Sequence, residues 1–333
     1  MALGQGEETS MKAASATGTT SEGWAARPVG RRREDRIVGA SRATERVIEQ
    51  ISAASRSELP VLIVGPSGTG KEFAARAVHA WGSRAGAPFL TLACDALPEA
   101  IQARELFGST SGVSPLLPNA QEGVLALAAG GSLLLEQIER LRNDVGESLA
   151  RAIGERRFQR AGDEGSLALT ARVIVAAEAR PSGPFLGGIP HHAIELVPLA
   201  ERREDILPLA AHFLASSAEE IGVAPVGFTA DARAFLLAEA WPGNVRELRQ
   251  RIRQAVRLSS GGAVSAEALL LAGDGDEIPS FKEAKRAFET RYVVNLLRRC
   301  SGNISRAARL AKKDRKDFYD VIRRTGIDPT QFR

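Results

Sequence analysis

Seven residues, Gly65-Pro66-Ser67-Gly68-Thr69-Gly70-Lys71, constrain this chain more than any other feature. They follow the apolar run Val61 to Val64, which has strand length, and they lead into a helical pattern that starts at Glu72. A G-x-x-x-x-G-K loop between a strand and a helix has one well-understood use. Its glycines let backbone N–H groups turn inward around phosphates, the helix N-terminus adds its dipole, and the lysine ammonium reaches the outer phosphates. Gly65, Ser67, Gly68, Thr69, Gly70 and Lys71 are therefore the expected nucleotide contacts, with Glu72 where a Mg²⁺-binding Ser or Thr usually stands.

Around this loop, non-alternating apolar runs recur at Phe89 to Cys94, Ser132 to Leu135, Arg172 to Ala176 and Ala193 to Leu199. Helical patterns lie between them, after Pro98 and over Asp144 to Ile153. Strands that are apolar on both faces and separated by helices predict an α/β fold with a parallel sheet covered on both sides. From Arg203 the strand signal stops. Amphipathic helices are expected over Asp205 to Ile221, Thr229 to Ala240 and Asn244 to Ser259, forming an all-helical subdomain. A long helix, Ser280 to Arg299, and two short ones, Ile304 to Ala311 and Arg315 to Arg324, follow the Gly-Ser and Gly-Asp breaks near residues 260 and 274.

The run IVGASRATERVIEQI, the segment LPVLIVGPSGTGKEFAARAVHAWGSRAGAPFLTLACDALPEAIQARELFG, the stretch PLAERREDILPLAAHFL and WPGNVRELRQ together resemble the sigma-54 interaction domain of bacterial enhancer-binding transcription activators, which are AAA+ ATPases. The resemblance covers about residues 37 to 257 and resumes in the last 50. It implies a P-loop AAA+ parallel sheet with a helical lid subdomain, plus an all-α helix-turn-helix C-terminal domain. The division it suggests is a disordered, basic-ended tail at 1–36, an α/β nucleotide-binding subdomain at 37–200, a lid at 201–272 and a DNA-binding domain at 279–333. A glutamate at the position of Glu72 is usual in the family. Arg246 matches the family's second sensor arginine, which touches bound nucleotide, so ATP is the implied cofactor.

Four parts depart from the family's pattern. Where its Walker B strand ends in Asp-Glu, this chain has Glu136-Gln137. Glu136 can still serve Mg²⁺ through one extra methylene, but Gln137 has no carboxylate to polarise water, which leaves Glu136 from a shifted position as the alternative base. The family's GAFTGA loop, which contacts the sigma factor, aligns with Gly112-Val113-Ser114-Pro115-Leu116-Leu117, where only the first glycine remains and Pro115 restricts the backbone, so sigma-54 engagement and remodelling by this route are expected to be impaired. The family's arginine fingers fall in Pro181 to Glu195, which contains no Arg or Lys. Ala176-Ala177-Glu178 stands where the family shows Thr-Asn. An arginine finger is commonly worth about 10³ to 10⁵ in rate and a general base about 10² to 10⁴, so hydrolysis is expected to be weak or absent.

Charge separates the ends of the chain. Residues 279 to 333 hold 15 Lys plus Arg against 6 Asp plus Glu, a balance of +9 within a chain whose total is +4. A basic module after a mildly acidic domain points to a polyanion partner for that module. Its sequence, SGNISRAARLAKKDRKDFYDVIRR, resembles the Fis-type helix-turn-helix of the same family. Ile304, Ala307, Ala308 and Leu310 are expected to face Phe318, Val321 and Ile322, with Asp314 capping the second helix. Arg306, Lys312, Lys313, Arg315, Lys316, Tyr319 and Arg323 are the expected contacts to double-stranded DNA. A three-helix protein-interaction module is the competing reading of these residues. Phe288, Tyr292 and Leu296 form the candidate dimer face.

The function implied is that of a DNA-binding transcription regulator, self-associating as a dimer or larger oligomer. The alternatives are a working sigma-54-dependent activator that contacts RNA polymerase, and a non-catalytic subunit of an intact enhancer-binding protein. Cys94 and Cys300 have neither disulfide-framework nor zinc-ligand spacing, and no apolar stretch approaches the roughly 20 residues of a membrane span. A cytoplasmic, nucleoid-associated protein is expected. The basic residues Arg27, Arg31, Arg32, Arg33 and Arg36 are read as linker.

Overall fold

The computed structural model describes residues 37–112, 119–181, 188–224, 226–259, 261–272, 289–290, 292–294 and 296–332. The 1–36 tail, most of the segment aligned with GAFTGA, part of the stretch without arginines, and Phe288 lie outside them.

The first helix of the described residues is α1 (Arg42–Ser55), capped by the Ser41 hydroxyl, which accepts the Thr44 N–H. Next come β1 (Val61–Val64), α2 (Lys71–Trp81), β2 (Phe89–Ala93) and α3 (Gln102–Phe107). A short antiparallel pair, β3 (Gly108–Ser109) with β4 (Gln121–Glu122), flanks the GAFTGA-aligned segment, and α4 (Val124–Leu127) leads to β5 (Ser132–Glu136). After α5 (Asn143–Glu155), the hairpin of β6 (Arg157–Gln159) and β7 (Ser166–Ala168) precedes β8 (Arg172–Ala177) and β9 (His192–Glu195). The five main strands form one sheet in the order β2-β5-β8-β1-β9, all pairs parallel.

Successive side chains along the central strands enter opposite cores. Leu133 and Leu135 of β5 join Val173, Val175 and Ala177 of β8 against α5, while Leu134, Ile174 and Ala176 pack with α1 and α2. Both faces are buried, which is why these strands read as continuous apolar runs instead of alternating ones. The strand expected over Ala193 to Leu199 is shorter. It spans His192–Glu195, and the chain then turns through Pro198 into a 3₁₀ segment, Leu199–Glu201, that packs in the lid core. Pro198 cannot donate to a ladder, so the apolar run outlasts the strand.

The lid is α6 (Ile206–Ile221), α7 (Ala230–Ala238), α8 (Asn244–Leu258) and α9 (Ala266–Leu271) around Trp241, Leu236, Leu248 and Ile252. Thr229 caps α7 as its sequence position suggests.

The described C-terminal residues have their own core. Val293, Leu296 and Leu297 pack with Ala307, Ala308, Phe318, Val321 and Ile322, and the helices Ile304–Leu310 and Arg315–Thr325 follow one another across a short turn. Two expectations need correction. Leu310 is 56% exposed, because Ala311, one turn beyond Ala307 and Ala308, takes the inward place at the helix end. Leu296 is buried in this core while Tyr292 is 41% exposed, so the two do not share one outward face.

Candidate nucleotide site

The P-loop crosses the carboxyl edge of the sheet. It starts where the Gly65 N–H donates to Ala177 O on β8 (3.2 Å) and ends at the N-terminus of α2. Gly68 and Gly70 both adopt positive φ, +75° and +106°, conformations that a side chain disfavours. The tight curve brings Lys71 back over its own loop, where its ammonium donates to Gly65 O (2.7 Å) and Pro66 O (3.1 Å). Thr69 Oγ1 donates to Pro66 O, bracing the same turn (2.8 Å). Glu72 is ion-paired one helical turn on with Arg76 at 2.7 Å.

The lid meets this loop directly. Gly68 has no room for a side chain, since a Cβ there would stand 2.2 Å from Gly243 O. The Arg246 N–H donates to Gly68 O (3.2 Å), and its guanidinium donates to Ser67 Oγ (3.2 Å). Asn244, buried and held at φ +56°, donates to Ser67 O (2.9 Å) while its carbonyl accepts the Leu199 N–H (2.8 Å). Glu247 reaches back to the Gly243 N–H at 2.8 Å, satisfying a donor at the start of α8.

Two residues that sequence reasoning did not single out bind the arrangement from below. Arg202, buried, donates to Thr69 O in the P-loop (2.9 Å) and lies 4.0 Å from Asp205. Asp205, fully buried, accepts from the N–H groups of Ala40 and Ser41 (2.6 and 2.7 Å) and the hydroxyls of Ser41 and Thr44 (2.8 and 2.7 Å). Burial alone would raise its pKa, but these donors outweigh it and hold the carboxyl below its ordinary value. The sequence signal was present in RREDI, where Asp205 stood only as the first residue of an expected helix.

Glu136 ends β5 at the same edge. Burial, and after it the Glu72 charge, pushes its pKa up, with Lys71 and Arg246 opposing. Gln137 follows in the left-handed region (φ 52°), and its N–H donates to Ala176 O (3.0 Å) as the chain enters the 3₁₀ turn Ile138–Arg140. Burial lowers the pKa of Lys71, and the carboxylates of Glu178, Glu139 and Glu136 work against that shift. The loop curvature, the lysine and the lid cation are the elements a polyphosphate needs. For Mg²⁺ the fit is thinner: the usual hydroxyl ligand is replaced by Glu72, and no cluster of three candidate ligands exists among the described residues. His191 and His192 make no such group either.

The basic residues of the C-terminal pair lie outward. Arg306, Lys312, Lys313, Arg315, Lys316 and Arg323 are exposed, and Tyr319 is 54% exposed on the second helix. Asp314 caps that helix, accepting the Lys316 N–H at 3.2 Å, and Lys312 takes φ +50° in the turn.

Residues 37–184 match the Sigma-54 interaction domain family and residues 200–277 the AAA+ ATPase lid domain. The chain is 35% identical over 309 residues to transcriptional regulatory protein GlrR of Escherichia coli (strain K12), covering 89% of this chain and 69% of that protein. The chain belongs to the sigma-54 interaction domain family of AAA+ proteins. Transcriptional regulatory protein ZraR of Klebsiella oxytoca is 36% identical over 303 residues, 86% of this chain and 68% of that protein. Among solved structures, NtrX from Brucella abortus in complex with ATP aligns at a TM-score of 0.60 and 29% identity, over 89% of this chain and 71% of that one. Its complex with ADP aligns at 0.60 and 28%.

Proposed function

We propose that this family member is a nucleotide-dependent transcription regulator that has kept phosphate binding and lost efficient hydrolysis. One juxtaposition carries the reading. The P-loop is fully built and joined to the lid through Asn244 and Arg246, while the residue after the β5 carboxylate is Gln137, which cannot take a proton from water. ATP binds through Gly65, Ser67, Gly68, Thr69, Gly70, Lys71 and Arg246, with Mg²⁺ at Glu136.

The C-terminal helices bind double-stranded DNA, with Arg315, Lys316, Tyr319 and Arg323 toward base edges and Arg306, Lys312 and Lys313 on phosphates. The capped second helix, the outward cations and the local charge of +9 support this. The protein acts in the cytoplasm on the nucleoid as a self-associated dimer or larger oligomer. The family match supports contact with sigma-54 RNA polymerase, while the loss of all but the first GAFTGA residue over Gly112 to Leu117 leaves sigma-54 remodelling impaired. No helix among the described residues is long and apolar enough to cross a membrane.

Selection of bound sequences from a random DNA pool, followed by titration at several salt concentrations, tests the DNA reading. Lys313→Ala, on a phosphate contact, is expected to weaken binding and lower the salt slope by about one. No enrichment of any sequence, with no change on charge removal, would refute it.

A further inference from the structure

Every backbone carbonyl from Gly65 to Thr69 accepts a donor. Gly65 O and Pro66 O take the Lys71 ammonium, Ser67 O the Asn244 side chain (2.9 Å), Gly68 O the Arg246 N–H (3.2 Å) and Thr69 O the Arg202 guanidinium (2.9 Å). The peptides are trans, so a C=O turned toward its donor turns the following N–H the opposite way. A row of carbonyls held on one side is how a loop presents amides to an anion on the other. The Thr69 N–H is spent inside the loop, on Pro66 O (3.4 Å), whereas the N–H groups of Gly68 and Gly70 donate to no backbone carbonyl among the described residues.

The two glycines differ in what holds them. The 2.2 Å approach of Gly243 O to a Cβ on Gly68 means that the lid backbone wedges that residue in place. A Cβ on Gly70 would meet nothing within 4 Å, and glycine passes readily between positive and negative φ, so packing does not fix the 69–70 peptide. The hydrogen bond from Arg202 does. Without it, rotation of that peptide would set Thr69 O, instead of the Gly70 N–H, against a phosphate oxygen.

Arg202 is itself held from behind. It is 7% exposed and lies 4.0 Å from Asp205, whose oxygens take four donors from residues 40 to 44. Its Nε is buried without a hydrogen-bond partner, a cost that a methionine of similar length would avoid while filling much the same space. Packing alone does not account for a guanidinium here.

We infer that Arg202 is a positioning residue for nucleotide: it holds Thr69 O so that the Gly70 N–H faces the phosphates bound in the P-loop. The inference deepens the nucleotide-binding reading above and rests on it.

Calorimetric titration of the full chain with ADP and with inorganic pyrophosphate, each with Mg²⁺ and at a temperature where circular dichroism shows every variant folded, tests this. Pyrophosphate isolates the phosphate cradle from the base and ribose. Arg202→Met should weaken both ligands by the same factor, about ten- to hundredfold, the worth of one hydrogen bond to a charged acceptor. Arg202→Lys, which returns a donor, should recover both affinities to within about fivefold of wild type. Leu149→Ala, fully buried in the core that α5 covers, should lower Tm at least as much as Arg202→Met and leave both affinities within about twofold. Where Arg202→Met does not fold, the same substitution combined with Asp205→Asn, which removes the stranded carboxylate, takes its place. Wild-type affinities in Arg202→Met, with both ligands lost in Lys71→Ala, overturn the role of Arg202 alone. An equal loss of affinity in Leu149→Ala, or a loss for ADP without one for pyrophosphate, also overturns it. Wild-type affinities in Lys71→Ala overturn the nucleotide reading itself.

Discussion

Replacing Asp205 tests how the nucleotide-binding part is held together. Its Oδ1 accepts two backbone N–H groups, from Ala40 and Ser41, and its Oδ2 accepts two hydroxyls, from Ser41 and Thr44. In Asp205→Ala the hydroxyls can rotate to other partners, but the two amides cannot. Stranding them at about 1–3 kcal/mol each, together with leaving Arg202 without its nearby anion, gives an expected loss of about 3–5 kcal/mol. For a unit of this size that lowers Tm by roughly 10 °C. Asp205→Asn retains the oxygen that serves both amides and can place its NH₂ against the hydroxyls, so it should cost only about 1–2 kcal/mol. Urea unfolding followed by circular dichroism measures both variants. The Asp205 carboxyl has a depressed pKa, so its contribution is fully present above the unfolded value of about 3.9 and is lost as pH falls below it. The gap between wild type and Asp205→Ala should therefore close below about pH 4. A loss under about 1 kcal/mol for Asp205→Ala at pH 7 would refute the reasoning.

Three further outcomes follow from single residues. Lys312 pays a left-handed backbone penalty of about 1 kcal/mol, so Lys312→Gly should stabilise the C-terminal helices by up to that amount while lowering the DNA salt slope by about one; thermal melts and salt titrations read the two effects separately. His79 is buried between Ser132 and Phe89, and burial first, then the charges of Arg84, Arg172 and Arg76, lower its pKa. Its neutral form is favoured in the fold, so stability should fall as pH drops below about 6.5, with a slope that His79→Gln reduces in denaturation at pH 5 to 8. Burial raises the Cys94 thiol to about 12, so iodoacetamide at pH 8 should leave it unmodified until urea unfolds the protein.

The sheet was legible because strands buried on both faces leave unbroken apolar runs, and the P-loop because its glycines have a backbone duty that no other residue fulfils easily. Helix α7 was legible from its Thr229 cap. What escaped were contacts between residues far apart in the chain. Asn244 and Ser67 are 177 positions apart, and nothing in WPGNVRELRQ announces that its asparagine adopts φ +56° to fasten the lid to the loop. Asp205 stood only as the first residue of an expected helix and proved to be the acceptor for the segment entering α1, 164 positions away at Ser41. Leu310 misled because periodicity assigns a face but not the point where a helix stops; the helix ends there and Ala311 turns inward. At the site, the glutamine after Glu136 was readable as a departure, but the burial that raises the Glu136 pKa required the folded sheet.

The most direct test of retained binding without efficient cleavage is single-turnover hydrolysis of radiolabelled ATP by excess protein, with and without DNA. Typical turnover of about 10 s⁻¹, reduced by the lower bounds for a missing base and a missing arginine finger, predicts a rate on the order of 10⁻⁴ s⁻¹ or slower from fully bound ATP. Turnover near 1 s⁻¹ that Lys71→Ala abolishes would contradict the account.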